Sequence, residues 1–284
     1  MKIAIVTDST AYIQEQYQNH KNLFVLSVPL IIDDVVYQEG IDITDEAFYE
    51  KLKVAKEFPK TSQPALGEVY ELYETLDKSG YDAVISIHLS TGISGFITTL
   101  NGISKDFSDI DIYPFDSYIT SGPMGRMVEV ALEMTEHKEA NPKEMIQHLE
   151  EMRRFAEGYI VVDDLNHLVR GGRLKNGAAI IGTLLKIKPI LRFQDGDIIL
   201  SEKIRSQKKA LSRVIDIVLE EVPSKPHDSM FYVIHCNNIE VAEHVKEDML
   251  KRDSQLEVIL CDFGPVIGTH LGEKSIGIGV IPKK

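Results

Sequence analysis

The sequence predicts an α/β protein of two domains, the first built on a largely parallel, doubly wound sheet. Three observations predict it. Short β-rich apolar runs alternate with amphipathic helical segments over the first half of the 284 residues. Three strands of that half run into turns at Asp8–Thr10, Ser90–Ser94 and Asp116–Ser117, the position where such sheets bind ligands. After about residue 155 the pattern changes, which sets a boundary near residues 155–158 and domains at 1–156 and 157–284. A second, smaller α/β domain follows.

The elements justify this in order. Ile3–Asp8 reads as a strand ending at Asp8-Ser9-Thr10, any of which could cap a helix around Ile13–Tyr17. Leu23–Ile32 is one β-rich run in which Pro29 hints at an edge or bend. Thr44–Glu46 starts a helix through Leu52 and Val54. The segment from Thr61 to Leu76 has a Ser/Thr start, Pro64 in its first turn and Val69, Leu72, Tyr73 and Leu76 on one face. A strand at Asp109–Ser117, a helix around Met127–Glu136 and a helix at Pro142–Phe155 complete this half. Beyond it, Tyr159–Leu174 gives a strand and a helix ended by Gly171-Gly172. Asp195-Gly196 marks a hairpin turn, and Ser206–Glu221 is helical. Met230–Cys236 and Leu256–Gly264 are strands around a helix reaching Leu250. The last segment, GPVIGTHLGEKSIGIGVIP, reads as a Gly-rich loop around His270 flanked by strands.

The stretch Asp82–Gly95, DAVISIHLSTGISG, carries the most chemistry. A buried strand passes into Ser90-Thr91-Gly92-Ile93-Ser94-Gly95 and then a helix from about Phe96. Unpaired N–H groups and the helix dipole favour an anion there, and the hydroxyls add donors. An ordinary capped strand-to-helix loop explains the same residues equally well.

Composition excludes several classes. A net charge of −13 argues against a general nucleic-acid binder or a protein of anionic membrane surfaces. Two cysteines, Cys236 and Cys261, in no metal spacing, fit a reducing cytoplasm. MKIAIVTDST is a strand, not a signal peptide, and no apolar run reaches membrane-spanning length. The charge is uneven. Arg170–Arg213 holds eleven basic and three acidic residues, a local +8 against −21 elsewhere. Such a segment is a candidate docking surface for an acidic partner or phosphate, although a solvated helix face suits Lys208, Lys209 and Arg213 better.

Three motifs nearly match and fail. Gly268–Ser275 has Glu273 where a phosphate-binding loop needs glycine. Gly277-Ile278-Gly279 lacks the rest of a dinucleotide turn. Gly92–Phe96 is one residue off a hydrolase elbow. Ser94, Asp116 and His270 nonetheless follow the Ser, Asp, His order of that fold, so a serine esterase or thioesterase using Ser94 and His270 is the alternative function. Five glycines around His270 imply close backbone approach to something.

These segments together resemble the DegV family, which includes the fatty-acid-binding subunits of bacterial fatty acid kinases. The resemblance rests on VTDST at 6–10, KTSQPALGE at 60–68, IHLSTGISG at 87–95 and LVRGGRL at 168–174. It continues through LLKIKPIL at 184–191, KIRSQKKA at 203–210 and the final Gly-rich segment. It implies a carrier rather than an enzyme, with one long-chain fatty acid bound between two domains and no further cofactor. It implies that Thr61, Ser94 and His270 meet the carboxylate, with Ser62 and the backbone of Ile93 nearby. It also implies that a separate ATP-dependent kinase receives that carboxylate, with Arg173 and Arg205 at the positions associated with kinase engagement. The sequence departs from many relatives at Gly272-Glu273-Lys274. The apolar run Ala178–Leu185 suits either a tail tunnel or core packing.

Overall fold

The computed structural model describes residues 1–137, 139–181, 187–222 and 225–284. The chain opens with β1 (Ile3–Asp8), α1 (Glu15–Gln18) and β2 (Leu23–Leu26), then forms the hairpin β3 (Pro29–Ile32) and β4 (Val35–Gln38). There follow α2 (Asp45–Val54), β5 (Lys60–Thr61), α3 (Leu66–Lys78), β6 (Ala83–His88), α4 (Phe96–Ile103), β7 (Asp111–Asp116), α5 (Ser121–Thr135) and α6 (Pro142–Arg154). Four of these strands make a wholly parallel sheet in the order β2-β1-β6-β7. A separate antiparallel sheet has the order β4-β3-β5.

The remaining elements are β8 (Glu157–Val161), α7 (Asn166–Arg170), α8 (Gly177–Ile181), β9 (Lys188–Gln194) and β10 (Asp197–Ile204). They continue with α9 (Gln207–Asp216), β11 (Ser229–His235), α10 (Ile239–Arg252), β12 (Glu257–Asp262), α11 (Gly264–Leu271) and β13 (Ile276–Pro282). The second large sheet runs β10-β9-β8-β13-β11-β12, antiparallel except between β11 and β12. The β9–β10 turn is Asp195-Gly196, both at positive φ, as the sequence predicts.

Strand alternation sorts the cores. Ala4, Val6 and Val84 face α3 and α4 through Tyr73, Leu76, Phe96 and Leu100. Ile3, Ile5 and Ile85 face the opposite way, toward Met124, Met127, Val128 and Ala131 of α5. On the second sheet Tyr159, Val161, Phe231 and Val233 face α9 and α10. Its other face joins the α5 core through Ile160, Tyr232 and Ile281. Helix α5 therefore packs against β1 and β6 of one sheet and β11 and β13 of the other. Two glycines permit this approach. A Cβ on Gly122 would lie 2.2 Å from the Tyr232 ring, and one on Gly125 only 1.7 Å from the Tyr12 carbonyl oxygen.

Several boundaries differ from the sequence reading. Leu23–Ile32 is two strands in different sheets, with the chain turning at Ser27-Val28 and Pro29 opening β3, where its missing N–H is tolerated. Thr61 is a strand residue and not a helix start; α3 begins at Leu66, after Pro64. The first helix starts at Glu15 rather than Ile13, because Asp8 and Thr10 bond each other instead of capping it. The loop expected around His270 is the buried helix α11. Pro265 suits its first turn, and Gly272, at φ +78°, ends it. The glycines there do allow close approach, but to protein: Gly268 faces Tyr49, and Gly277 faces Phe263. Residues 182–185 of the apolar run, and Lys186 after it, lie outside the described residues.

Replacement of Gly125 by Ala forces backbone apart between Tyr12 and α5. Overpacking of this kind costs about 1–3 kcal/mol or more. The urea midpoint of Gly125→Ala is expected to drop accordingly, whereas Gly67→Ala, in helix α3 with open space around it, should hold or slightly raise it.

Candidate functional site

The carboxyl ends of β1, β6 and β7 point toward the seam between the two large sheets. A cavity of about 210 Å³ lies there. The first half of the chain contributes Thr61, Ser62, Gln63, Leu89, Ile93, Ser94 and Gly95; the second contributes Leu168, Arg173, Phe193, Ile198, Phe263 and His270. Burial is graded across it. Ser62, Gln63 and Gly95 are exposed, while Leu89, Leu168, Ile198 and Phe263 are buried. The cavity thus runs from a polar rim at Ser62 and Gln63, through the half-buried Thr61 and Ser94, to a mostly apolar interior that also holds Thr120 and His270.

The polar groups form one cluster. Thr61, ending β5, lies with its Oγ1 2.7 Å from Nε2 of His270 on α11. Nδ1 of His270 is buried without a partner. Gly171 leaves room beside it, since a Cβ there would fall 2.5 Å from that nitrogen. The Gly171 carbonyl accepts from Nη1 of Arg173, and the Ile93 carbonyl accepts from Nε of the same guanidinium at 3.1 Å. Burial pushes the His270 pKa down to about 3, with the positive charge of Arg173 and then His167 adding to it. Its imidazole is neutral at ordinary pH, one donor and one acceptor. Burial also lowers the pKa of Arg173.

All five ligand residues expected from the sequence, Thr61, Ser62, Ile93, Ser94 and His270, line this one cavity. Their surroundings differ from expectation in three respects. The turn after β6 is not a row of open N–H groups. Thr91 N donates to Asp116, Gly92 N to Ser90 Oγ, Ile93 N and Ser94 N to the Ser90 carbonyl, and Phe96 N to Ser94 Oγ. Of the turn's three hydroxyl residues, Ser94 lines the cavity, while Ser90 Oγ donates to the Gly196 carbonyl and Thr91 Oγ1 to Asp116. Second, Arg173 was expected on an exposed surface beside Arg205. Arg205 is exposed, but Arg173 is half-buried in the cavity wall, because its two backbone acceptors draw the guanidinium inward. Third, the basic segment is partly neutralised by its own surroundings. Lys175 pairs with Asp197, Lys188 with Asp163, and Arg213 with Glu202 and Glu221.

The hairpin β9–β10 was not anticipated as a cavity wall, yet Phe193 and Ile198 belong to it. Ser90 Oγ donates to the Gly196 carbonyl at 2.8 Å, and a Cβ on Gly92 would lie 2.2 Å from that oxygen. The Gly92 and Asp195-Gly196 signals were both legible, but not their contact. Glu273, where the sequence departs from many relatives, turns away from the cavity and accepts from Asn237 Nδ2 at 2.6 Å.

Among the described residues, Ser94, Asp116 and His270 form no hydrogen-bonded triad. The Asp116 carboxylate accepts from Thr91 and Tyr118. A catalytic histidine needs a carboxylate on the nitrogen that His270 leaves unpartnered, and a pKa near neutrality. Among the described residues there is no group of His, Cys, Asp and Glu side chains able to hold a metal ion, and no helix long and apolar enough to cross a membrane.

Comparison with known proteins agrees with this architecture. Residues 2–283 match the family described as "Uncharacterised protein, DegV family". Protein DegV of Bacillus subtilis is 43% identical over 278 residues, covering 98% of each chain. The crystal structure of a fatty acid binding DegV family protein from Streptococcus agalactiae superposes with a TM-score of 0.95 at 39% identity over the whole of both chains. That of DegV, a fatty acid binding protein from Bacillus subtilis, gives 0.91 at 42% identity over the same coverage. The chain belongs to the DegV family.

Proposed function

We propose that this DegV-family chain binds one long-chain fatty acid, tail inward, and presents its carboxylate to a separate ATP-dependent kinase that forms the acyl-phosphate. The observation that carries this reading is the gradient from polar rim to mostly apolar interior. Thr61, Ser94 and His270 would contact the carboxylate, with Ser62 and the Ile93 backbone beside them. Arg173 supplies the nearby positive charge. The two DegV-family structures compared above are both described as fatty acid binding, which supports the ligand class.

Each methylene removed from water contributes about 0.8 kcal/mol, so the tail dominates affinity and the head fixes orientation. A cavity of about 210 Å³ is smaller than the roughly 300–1,000 Å³ typical of drug-sized ligands. We assign ligand entry to the seam between a first domain, 1–156, and a second, 157–284, a division supported by the strands of the two large sheets. A neutral His270 and a carrier role disfavour the alternative reading as a Ser94 esterase. Two free thiols and an ATP-dependent partner suit the cytoplasm.

Ser94→Ala and His270→Ala are expected to weaken palmitate binding by about tenfold each, the loss of one buried donor at roughly 1–3 kcal/mol. Hexadecanol binding should change far less. Equal losses for acid and alcohol would assign these residues to packing, and an absence of saturable binding of any long-chain acid by delipidated protein would end the carrier reading.

The His270 ring signals in NMR should stay at their neutral positions from pH 8 to pH 5. Its folded pKa lies below the unfolded value of 6.5, so unfolding takes up a proton and this residue lowers stability as pH falls from 6.5 toward 3. A midpoint near 6.5 in the folded protein would remove the neutral-imidazole argument.

Arg205→Glu reverses an exposed charge outside the cavity. It should slow kinase-dependent acyl-phosphate formation, and leave palmitate affinity unchanged. The wild-type rate should decline with added salt. Charge reversal at Arg173 is expected to damage both, since that guanidinium lines the cavity.

A further inference from the structure

The small sheet β4-β3-β5 grips α11 at two places. Thr61 at the end of β5 bonds Nε2 of His270. Glu39, the residue after β4, accepts from the Val266 backbone N–H with Oε1 at 2.8 Å. Val266 and His270 are four residues apart, one turn along the helix. The first turn of α11 needs such an acceptor. Its N-cap residue, Phe263, makes no side-chain cap bond, and Pro265 has no N–H.

Glu39 is held tightly. Its other oxygen, Oε2, accepts from Ser9 Oγ at 2.6 Å, and its backbone carbonyl accepts from Ser27 Oγ at 2.8 Å. The residue is 6% exposed. A Cβ on Gly264 would fall 2.7 Å from Oε1, so the carboxylate occupies the space that a side chain there would need. It does not line the cavity, and anything it does to ligand passes through the helix.

We propose that Glu39 is a positioning residue: by capping α11 from the same sheet that carries Thr61, it fixes the depth and rotation at which the helix presents His270. The carboxylate ties the end of β1, through Ser9, to the start of α11. The two bonds one turn apart leave the helix neither sliding nor rolling freedom against the sheet. The binding readout of this inference rests on the fatty-acid reading; the spectroscopic one does not.

The test compares Glu39→Gln, Glu39→Asp and Glu39→Ala in the full chain. Gln keeps the length and the acceptor oxygen. Asp keeps the charge but is one methylene short of spanning Ser9 and Val266. Three measurements are made: the His270 imidazole signals of ligand-free protein by NMR, palmitate affinity and hexadecanol affinity. Glu39→Gln should retain wild-type values of all three. Glu39→Asp and Glu39→Ala should shift the His270 signals and weaken palmitate about tenfold, on the scale of one lost buried hydrogen bond. Hexadecanol should change less than about twofold. If Glu39→Ala fails to fold, the Asp and Gln variants decide. Wild-type His270 signals in Glu39→Asp would overturn the proposal, as would a Gln variant as impaired as the Asp variant. Should the wild type bind no palmitate, the fatty-acid reading fails while the His270 signals still judge the positioning role.

Discussion

Everything about the site depends on α5 lying flush between two sheets. A helix buried along one whole side of each sheet can reach that position only where its own side chains, or the opposing ones, are absent. Gly122 against Tyr232, Gly125 against Tyr12 and Gly279 against Pro123 meet that condition. The consequence is one continuous core through both halves of the chain. The seam between the sheets is then the natural place for a cavity, and its wall must draw on distant sequence. Thr61 and His270, hydrogen-bonded there, are 209 residues apart.

A second constraint fixes the strand ends that face this seam. Asp8 receives Thr10 on one oxygen, and His88 and Leu89 on the other. His88 continues to Ser86, and Ser86 to Tyr73. This Asp–His–Ser row has the connectivity of a hydrolytic triad, yet all three residues are wholly buried. No substrate reaches it. Its effect is to satisfy Asp8, Ser86 and His88 at the ends of β1 and β6, as buried polar side chains demand. The contrast with the cavity is instructive: the serine and histidine that solvent can approach lack the carboxylate, and the set that has the carboxylate is sealed.

Much of this was legible in the sequence. Strand ends, the Asp195-Gly196 hairpin and the helix ended by Gly171-Gly172 follow from local rules of turn and cap chemistry, and the structure has them. The error at His270 had a local cause. Five glycines suggested a loop, whereas Pro265 and Gly272 were the start and stop of a helix. Thr61 was misread because a two-residue strand has no periodicity to detect. The burial of Arg173 has a non-local cause: its inward turn depends on the Ile93 carbonyl, 80 residues earlier. Glu39 gave no signal at all, since its partner is 227 residues later in the chain.

The electrostatics of the cavity set its chemistry. A carboxylate removed from water is costly unless several donors converge on it. His270 is neutral and contributes a hydrogen bond but no charge, and the hydroxyls of Thr61 and Ser94 do likewise. Arg173 supplies the charge, and its position is already fixed by two backbone carbonyls before any ligand arrives. Such a guanidinium needs little ordering on binding, which favours the bound state. The same arrangement suits a carrier better than a catalyst. A neutral imidazole with a depressed pKa is a poor base, and hydroxyls held beside a cation can stabilise an anion without attacking it.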